Sequence, residues 1–382
     1  MNKKLGLAVA GALVAFSSAA NAGITIPAGD WTVDIGGVVN AYYTSTKTDG
    51  VANSVSNITT GLLPNYLAVS GKTRQNDLDI AFTISINPGA STTKAGDQGS
   101  NQENRQAFLT IGDASWGSVK LGKDLGIYAS DAILNDMTLL GVGNGAGALA
   151  GNTTTLGRIG GGFMYADWKA QIAYTTPNWN GFQATVGVTQ AFDTQGDYVT
   201  TLRGGSEPAF EGKVSYAFTA DAVTGKVWAS AISQNVQLTA NTDDRASAWD
   251  IGANVNVAGF GLTAYYGEGE GLGTVVQFKN GYNVAGQARD SKDWYVQGTY
   301  TLPTIGTKLG VSYGESTLDG KGADTFNQTG REQWTVGAYH PLTKSVNLVA
   351  EYTNLDAVAD NKTAADTSVS SRTVSLGAIL FF

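Results

Sequence analysis

The chain has 382 residues, 42% hydrophobic and 15% charged, with 24 basic and 32 acidic residues and a net charge of −8. That acidity argues against nucleic acid as a partner, and the absence of cysteine means that stability in an oxidising space comes without disulfides. Fifty Gly, seven Pro, 8 Trp, 16 Tyr and 13 Phe suit many strands and turns better than a helical protein.

Residues 1–22 carry Lys3 and Lys4, an apolar run from Leu5 to Phe16, and then Ala20-Asn21-Ala22. A charged start, a short apolar core and an A-x-A site read as a cleaved secretory signal peptide. The run is shorter than the ~20 residues a spanning helix needs. Cleavage after Ala22 removes both lysines, so the net charge falls from −8 to −10. Beyond it no apolar run approaches the roughly 18 residues of a membrane helix. A membrane barrel is not excluded, because its strands alternate.

The alternation is clear. Val33, Ile35, Val39 and Tyr43 share one face, against Asp34, Asn40 and Tyr42. Leu78, Ile80, Phe82, Ile84 and Ile86 oppose Asp77, Asp79, Thr83 and Ser85. Phe182, Val186 and Val188 oppose Gln183, Thr185 and Thr189, and Trp249, Ile251 and Val255 oppose Asp250 and Asn254. Period two means that one face meets an apolar medium and the other a polar one.

The connections separate a membrane barrel from a soluble sandwich. Short ones are expected at 71–75, 113–117, 177–181, 219–225, 258–259, 303–306 and 342–345. Between them lie longer polar stretches at 45–61, 88–103, 124–160, 193–206, 236–247, 268–290, 317–330 and 357–370. Short turns on one side, long loops on the other and sixteen antiparallel strands make the outer-membrane pattern. Trp31, Trp168, Trp179, Trp249, Trp294 and Trp334 gather near strand ends, as interfacial girdles require. The stretch 124–160 has no strand pattern, and loops beyond about 12–15 residues are usually functional or disordered. It is expected to fold into the lumen and narrow it. The last strand puts Val374, Leu376, Ala378, Leu380 and Phe382 on one face, ready to pair with the first strand and close the sheet. The fold class is therefore all-β: a sixteen-stranded antiparallel transmembrane barrel over 23–382, with an inward third loop.

Several motifs resemble the general diffusion porins of Gram-negative outer membranes. They are Arg105-Gln106-Ala107-Phe108 with Gly117-Ser118-Val119-Lys120-Leu121-Gly122-Lys123, and Tyr174-Thr175-Thr176-Pro177 through Gly181-Phe182. Val336-Gly337-Ala338-Tyr339 with Leu342-Thr343-Lys344 and the terminal Phe382 complete the set. The resemblance implies acidic loop residues facing a ladder of basic wall residues, association into a homotrimer, and recognition of the terminal strand by the outer-membrane assembly machinery. Leu380 and Phe382 are the residues of that signal. Where the family has Gly-Arg at the end of the fifth strand, this chain has Gly122-Lys123, which keeps the charge without the rigid donor fork.

For the constriction, the acidic candidates are Asp124, Asp131 and Asp136. On the wall, alternation turns Lys120, Lys169, Lys213 and Lys308 inward. Lys123 is placed inward from the resemblance alone, and Arg105 and Arg158 lie near strand tops with either direction open. Inward acids at Asp34, Asp77, Asp79, Asp250 and Glu351 leave the ion preference undecided.

Enzymatic signals are weak. The Gly141–Gly151 stretch lacks the preceding strand and following helix of a phosphate loop. His340, the only histidine, has no serine placed beside it as a Ser–His pair requires. No cofactor or metal site is expected, beyond loose divalent binding by Asp193, Asp197 and Glu207. The reading is a water-filled channel in outer-membrane lipid for passive diffusion of small hydrophilic solutes and ions. A substrate-specific channel for a sugar or carboxylate is the alternative; it needs a basic cluster or an aromatic track, and Tyr42, Tyr66 and Tyr265 point inward but are scattered. A structural or adhesive surface barrel is the third reading.

Overall fold

A computed structural model describes residues 23–92, 95, 102–145, 154–199 and 207–382, so the expected leader 1–22 lies outside the described residues. The alternating segments form sixteen wall strands. The first eight are β1 (Trp31–Thr48), β2 (Tyr66–Gln75), β3 (Leu78–Pro88), β4 (Ala107–Asp113), β5 (Gly117–Leu125), β6 (Trp168–Thr175), β7 (Phe182–Thr189) and β8 (Ala209–Ala220). The rest are β9 (Val223–Thr239), β10 (Thr242–Val257), β11 (Phe260–Glu270), β12 (Asp290–Thr301), β13 (Lys308–Asp319), β14 (Phe326–Pro341), β15 (Val346–Asn361) and β16 (Thr367–Phe381). Each pairs antiparallel with the next, and β16 closes on β1 from Ser371 opposite Thr48 to Phe381 opposite Val38. Closure leaves no sheet edge. Among the described residues no helix is long and apolar enough to cross a membrane.

The seam is completed by a short leading segment, Ile24–Ala28, which pairs with Trp31–Ile35 just below the end of β16. The Phe382 carbonyl accepts from Gly37 N at 2.8 Å, and Gly37 has no room for a side chain, because a Cβ there would lie 2.1 Å from the Tyr66 carbonyl oxygen. The outer face carries the apolar series, with Val39, Ile84, Leu121, Ile172, Val186, Ile251, Leu309 and Leu376 exposed to what is lipid in the membrane. Trp179, Trp249 and Trp334 stand on the same face beside Phe182, Tyr266 and Tyr352.

Two expected connections fall elsewhere. The turn placed at 71–75 lies at Asn76 and Asp77, both with positive φ (49° and 62°), the geometry of a two-residue hairpin turn. Gly71 is inside β2, where the Phe82 ring covers it: a Cβ there would sit 2.3 Å from a ring carbon. Asp77 is thus a turn residue and not part of the wall. The loop expected at 236–247 is a continuous hairpin, with β9 and β10 paired up to Thr239 opposite Thr242.

Candidate functional site

The described parts of the third loop, 126–145 and 154–167, leave the top of β5 and fold into the barrel. Ala129 turns the chain with a left-handed φ of 60° into a short helix, α1 (Ser130–Asn135), followed by a single 3-10 turn at Met137–Leu140. Asp136 caps that turn, accepting from Thr138 N at 2.9 Å and Thr138 Oγ1 at 2.5 Å. A loop inside a lumen carries backbone groups that need partners, and the wall supplies them.

Two wall carboxylates each take two loop amides. Glu211 on β8 accepts from Ile127 N and Tyr128 N, both at 2.8 Å, from Lys169 Nζ at 2.6 Å and from Thr189 Oγ1 at 2.9 Å. Glu351 on β15 accepts from Val142 N at 2.7 Å, Gly143 N at 2.9 Å and the Tyr339 hydroxyl at 2.6 Å. β15 follows β8 by seven strands on a ring of sixteen, so the loop is slung nearly across the diameter. Along the way Asp131 pairs with Lys213 at 3.0 Å and with Lys226. Gln297 clasps Met137 N at 2.7 Å and the Asn135 carbonyl at 3.0 Å, and Tyr42 donates to the Leu140 carbonyl at 2.7 Å.

Apolar packing completes the seating. Ala132, Ile133, Met137, Leu139, Val142 and Phe163 of the loop bury against Trp228, Tyr265, Tyr295, Tyr339 and Val349 of the wall. Gly310 makes room for Met137, whose sulfur would lie 2.5 Å from a Cβ at that position. On the return arm Arg158 is fully buried, donating to the Gly161 and Gln333 carbonyls at 2.9 and 3.0 Å and to the Ser312 hydroxyl. Burial opposes ionisation of Asp131, but Lys213 and Lys226 outweigh it and hold the carboxyl below its ordinary value. At Asp136 burial wins and pushes the carboxyl up, against Arg158 and Thr138.

A profile of the Gram-negative porin family matches residues 8–360. The chain belongs to that family. The fold is similar to that of the outer membrane channel DcaP of Acinetobacter baumannii, at 17% identity and a TM-score of 0.68, covering 93% of this chain and 99% of that one. It is also similar to the anion-selective porin from Comamonas acidovorans (16%, TM-score 0.64, 92% and 100%) and to OmpF of Salmonella typhi in complex with daunomycin (17%, 0.62, 94% and 100%). Among curated proteins no match was found. The protein is an outer-membrane channel for diffusion of small solutes, and its family and fold are those of a channel rather than an enzyme.

The porin's loop covers one side of the inner wall. At mid-height the inward residues of β12 to β16, such as Asp293, Ser312, Thr335, Thr353 and Ser375, are buried. Ala68 and Ser70 on β2, Thr83 on β3, Phe108 on β4 and Lys120 on β5 keep solvent contact. The part of the lumen left open at this height therefore borders β2–β5.

The expected site residues separate on this geometry. Lys120 faces the open part of the lumen, pairs with Asp124 and lies 4.8 Å from the Phe108 ring centroid. Asp124 belongs to β5 rather than to the loop, is buried, and also accepts from Gln106 Nε2 at 3.0 Å. Lys123 is not inward: it shares the outer face with Leu121 and its register partner Ala107, and its amine reaches the Asn104 carbonyl at 2.9 Å. Alternation continues through Gly122, so the resemblance misplaced it. Lys169 and Arg158 are inward but enclosed, as anchors of the loop, and Asp131 and Asp136 are buried with it. Arg105 pairs with Glu103 at 2.7 Å and lies over Trp168, centroid 5.7 Å away.

Among the charged anchors, two escaped the sequence reading, Glu211 and Lys226. Glu211 shares its parity with Lys213, between outward Phe210 and Val214, so the signal was there. Tyr42 and Tyr265 offer no track to a sugar, because the loop covers both rings. Among the described residues no group of three or more metal-ligating side chains occurs; Asp197 pairs with Arg289 at 2.8 Å and Glu207 with Arg245 at 3.1 Å. A second loop, 271–289, also turns inward, burying Leu272, Phe278 and Tyr282 and bonding to the third loop from Tyr165 N to the Val275 carbonyl at 2.9 Å.

Proposed function

We propose that this porin prefers anions, because Lys120, Lys213 and Lys226 keep solvent contact while the carboxylates they pair with are buried. The side chains of Lys120, Lys213 and Lys226 are 23%, 19% and 34% exposed, while those of Asp124, Asp131 and Glu211 are 5%, 3% and 0% exposed. Selectivity in a pore follows the charged side chains a passing ion meets, and here these are lysines. The periplasmic mouth is mixed, with Lys72 against Asp34 at 3.3 Å and Arg74 against Asp79 and Asp113. In a planar bilayer under a tenfold KCl gradient, the zero-current potential is expected to carry the sign of chloride preference. A potential of the cation-selective sign overturns this reading.

Export and assembly follow from the same reading. The leader is cleaved after Ala22, and 23–382 folds as one barrel. Gly23 then becomes the N-terminus beside Phe382, both lying close to Gly36. Leu380 and Phe382 present the terminal strand to the assembly machinery, and the barrel associates as a homotrimer. In this scheme Lys120 lines the route with Asp124 buried behind it, Asp131, Asp136, Arg158 and Lys169 hold the loop that shapes it, Arg105 braces the rim, and Lys123 meets the lipid headgroups.

A further inference from the structure

Beneath the loop, on the side of the lumen away from β2–β5, lies a cavity of about 450 Å³. Its roof is Leu134 and Asn135 of the loop, and its wall comes from the periplasmic ends of β9 to β13, down to the turn at Ala258 and Gly259. One cation lines it. Lys308 makes no ion pair among the described residues; its amine lies 5.0 Å from the Tyr339 ring centroid, and the carboxylates of Asp136 and Glu351 act on it only through space. Asp136 borders the cavity, but its oxygens are taken up by Thr138.

Around Lys308 stand neutral polar groups. The hydroxyls of Thr224, Thr299 and Thr301 carry no side-chain hydrogen bond among the described residues, and Asn256 spends its amide on Asn254 at 2.6 Å, leaving its carbonyl oxygen to accept. A half-enclosed ammonium without a counter-ion, ringed by hydroxyls and an amide oxygen, attracts an anion that also carries hydroxyl groups. We propose that this cavity is a binding subsite for small hydroxylated carboxylates at the periplasmic exit, with Lys308 holding the carboxylate and the threonines its hydroxyl groups. The assignment stands whether or not the channel as a whole prefers anions.

Saturation-transfer NMR of gluconate with the folded barrel in detergent tests this. Saturable binding is expected, weakened at least tenfold by Lys308→Gln, retained by Lys308→Arg and unchanged by Lys362→Gln in an outer loop. Glucose, which has the hydroxyls and no carboxylate, is expected to give no saturable signal. Folding of each variant is checked by its heat-dependent gel mobility. Absence of saturable gluconate binding to the wild type, Lys308→Gln binding as the wild type does, or equal binding of glucose would overturn the assignment. The zero-current potential is a separate readout, so failure of the anion preference and failure of the subsite are distinguishable.

Discussion

Replacing Glu211 with Ala is expected to unfasten the entry of the third loop and produce the largest loss of stability of any single change in the lumen. The side chains of Glu211 and Lys169 are both fully enclosed, and removing one partner of a buried ion pair costs about 3–5 kcal/mol because the other charge is stranded. The amides of Ile127 and Tyr128 lose their acceptor as well. The barrel should convert to its unfolded gel mobility at a clearly lower temperature, and its single-channel current should become larger and noisier as the loop swings. The double variant Glu211→Gln/Lys169→Met removes both charges and should recover most of the thermal loss. If Glu211→Ala melts as the wild type does, the loop is not held at its entry by this pair.

The second large effect is expected in selectivity. Asp131→Asn leaves Lys213 and Lys226 without their shared counter-charge while keeping the side chain's shape. A unit charge at 4 Å is worth about 1 kcal/mol in water, so the chloride preference should rise by up to about fivefold. Acid should act the same way. The Asp131 carboxyl is held below its ordinary value of 3.8, so the contribution of its ion pairs to stability is present above that value and is lost only as pH falls through the lower folded-state pKa. Reversal potentials measured from pH 7 down to 2 check both effects on selectivity; a selectivity unaltered by Asp131→Asn would mean that the two lysines do not reach the permeating ions.

The wall was legible because lipid outside and polar groups inside impose period two on each strand, and because a terminal apolar strand has a partner only in a closed sheet. Where that contrast ends, so does the signal. β9 and β10 run on past the apolar band as a hairpin whose outer face turns polar while Val236, Leu238 and Ala246 pack inward, so 236–247 looked like a loop although its ladder of hydrogen bonds continues. Gly71 looked like a turn because glycine marks turns, whereas here it admits the Phe82 ring. At the site, alternation gave direction but not cover. It turned Lys169 and Glu351 inward, yet whether an inward charge meets water or holds a loop depends on 126–167, whose path follows no period. Lys213 and Lys226 stand on different strands and become a pair only when Asp131 reaches them.

At mid-height solutes are expected to pass along β2–β5 while the loop covers the wall of β12–β16. The chain has no cysteine, so single cysteines report cleanly. Ser70→Cys on β2 and Ser375→Cys on β16 place equivalent thiols on inward faces, the first at a half-exposed position and the second at one that is 1% exposed. A charged methanethiosulfonate reagent added to single channels should reduce the current through the Ser70→Cys variant stepwise and leave the Ser375→Cys variant unaltered. Equal block of both variants, or block of the Ser375→Cys variant alone, would contradict the account.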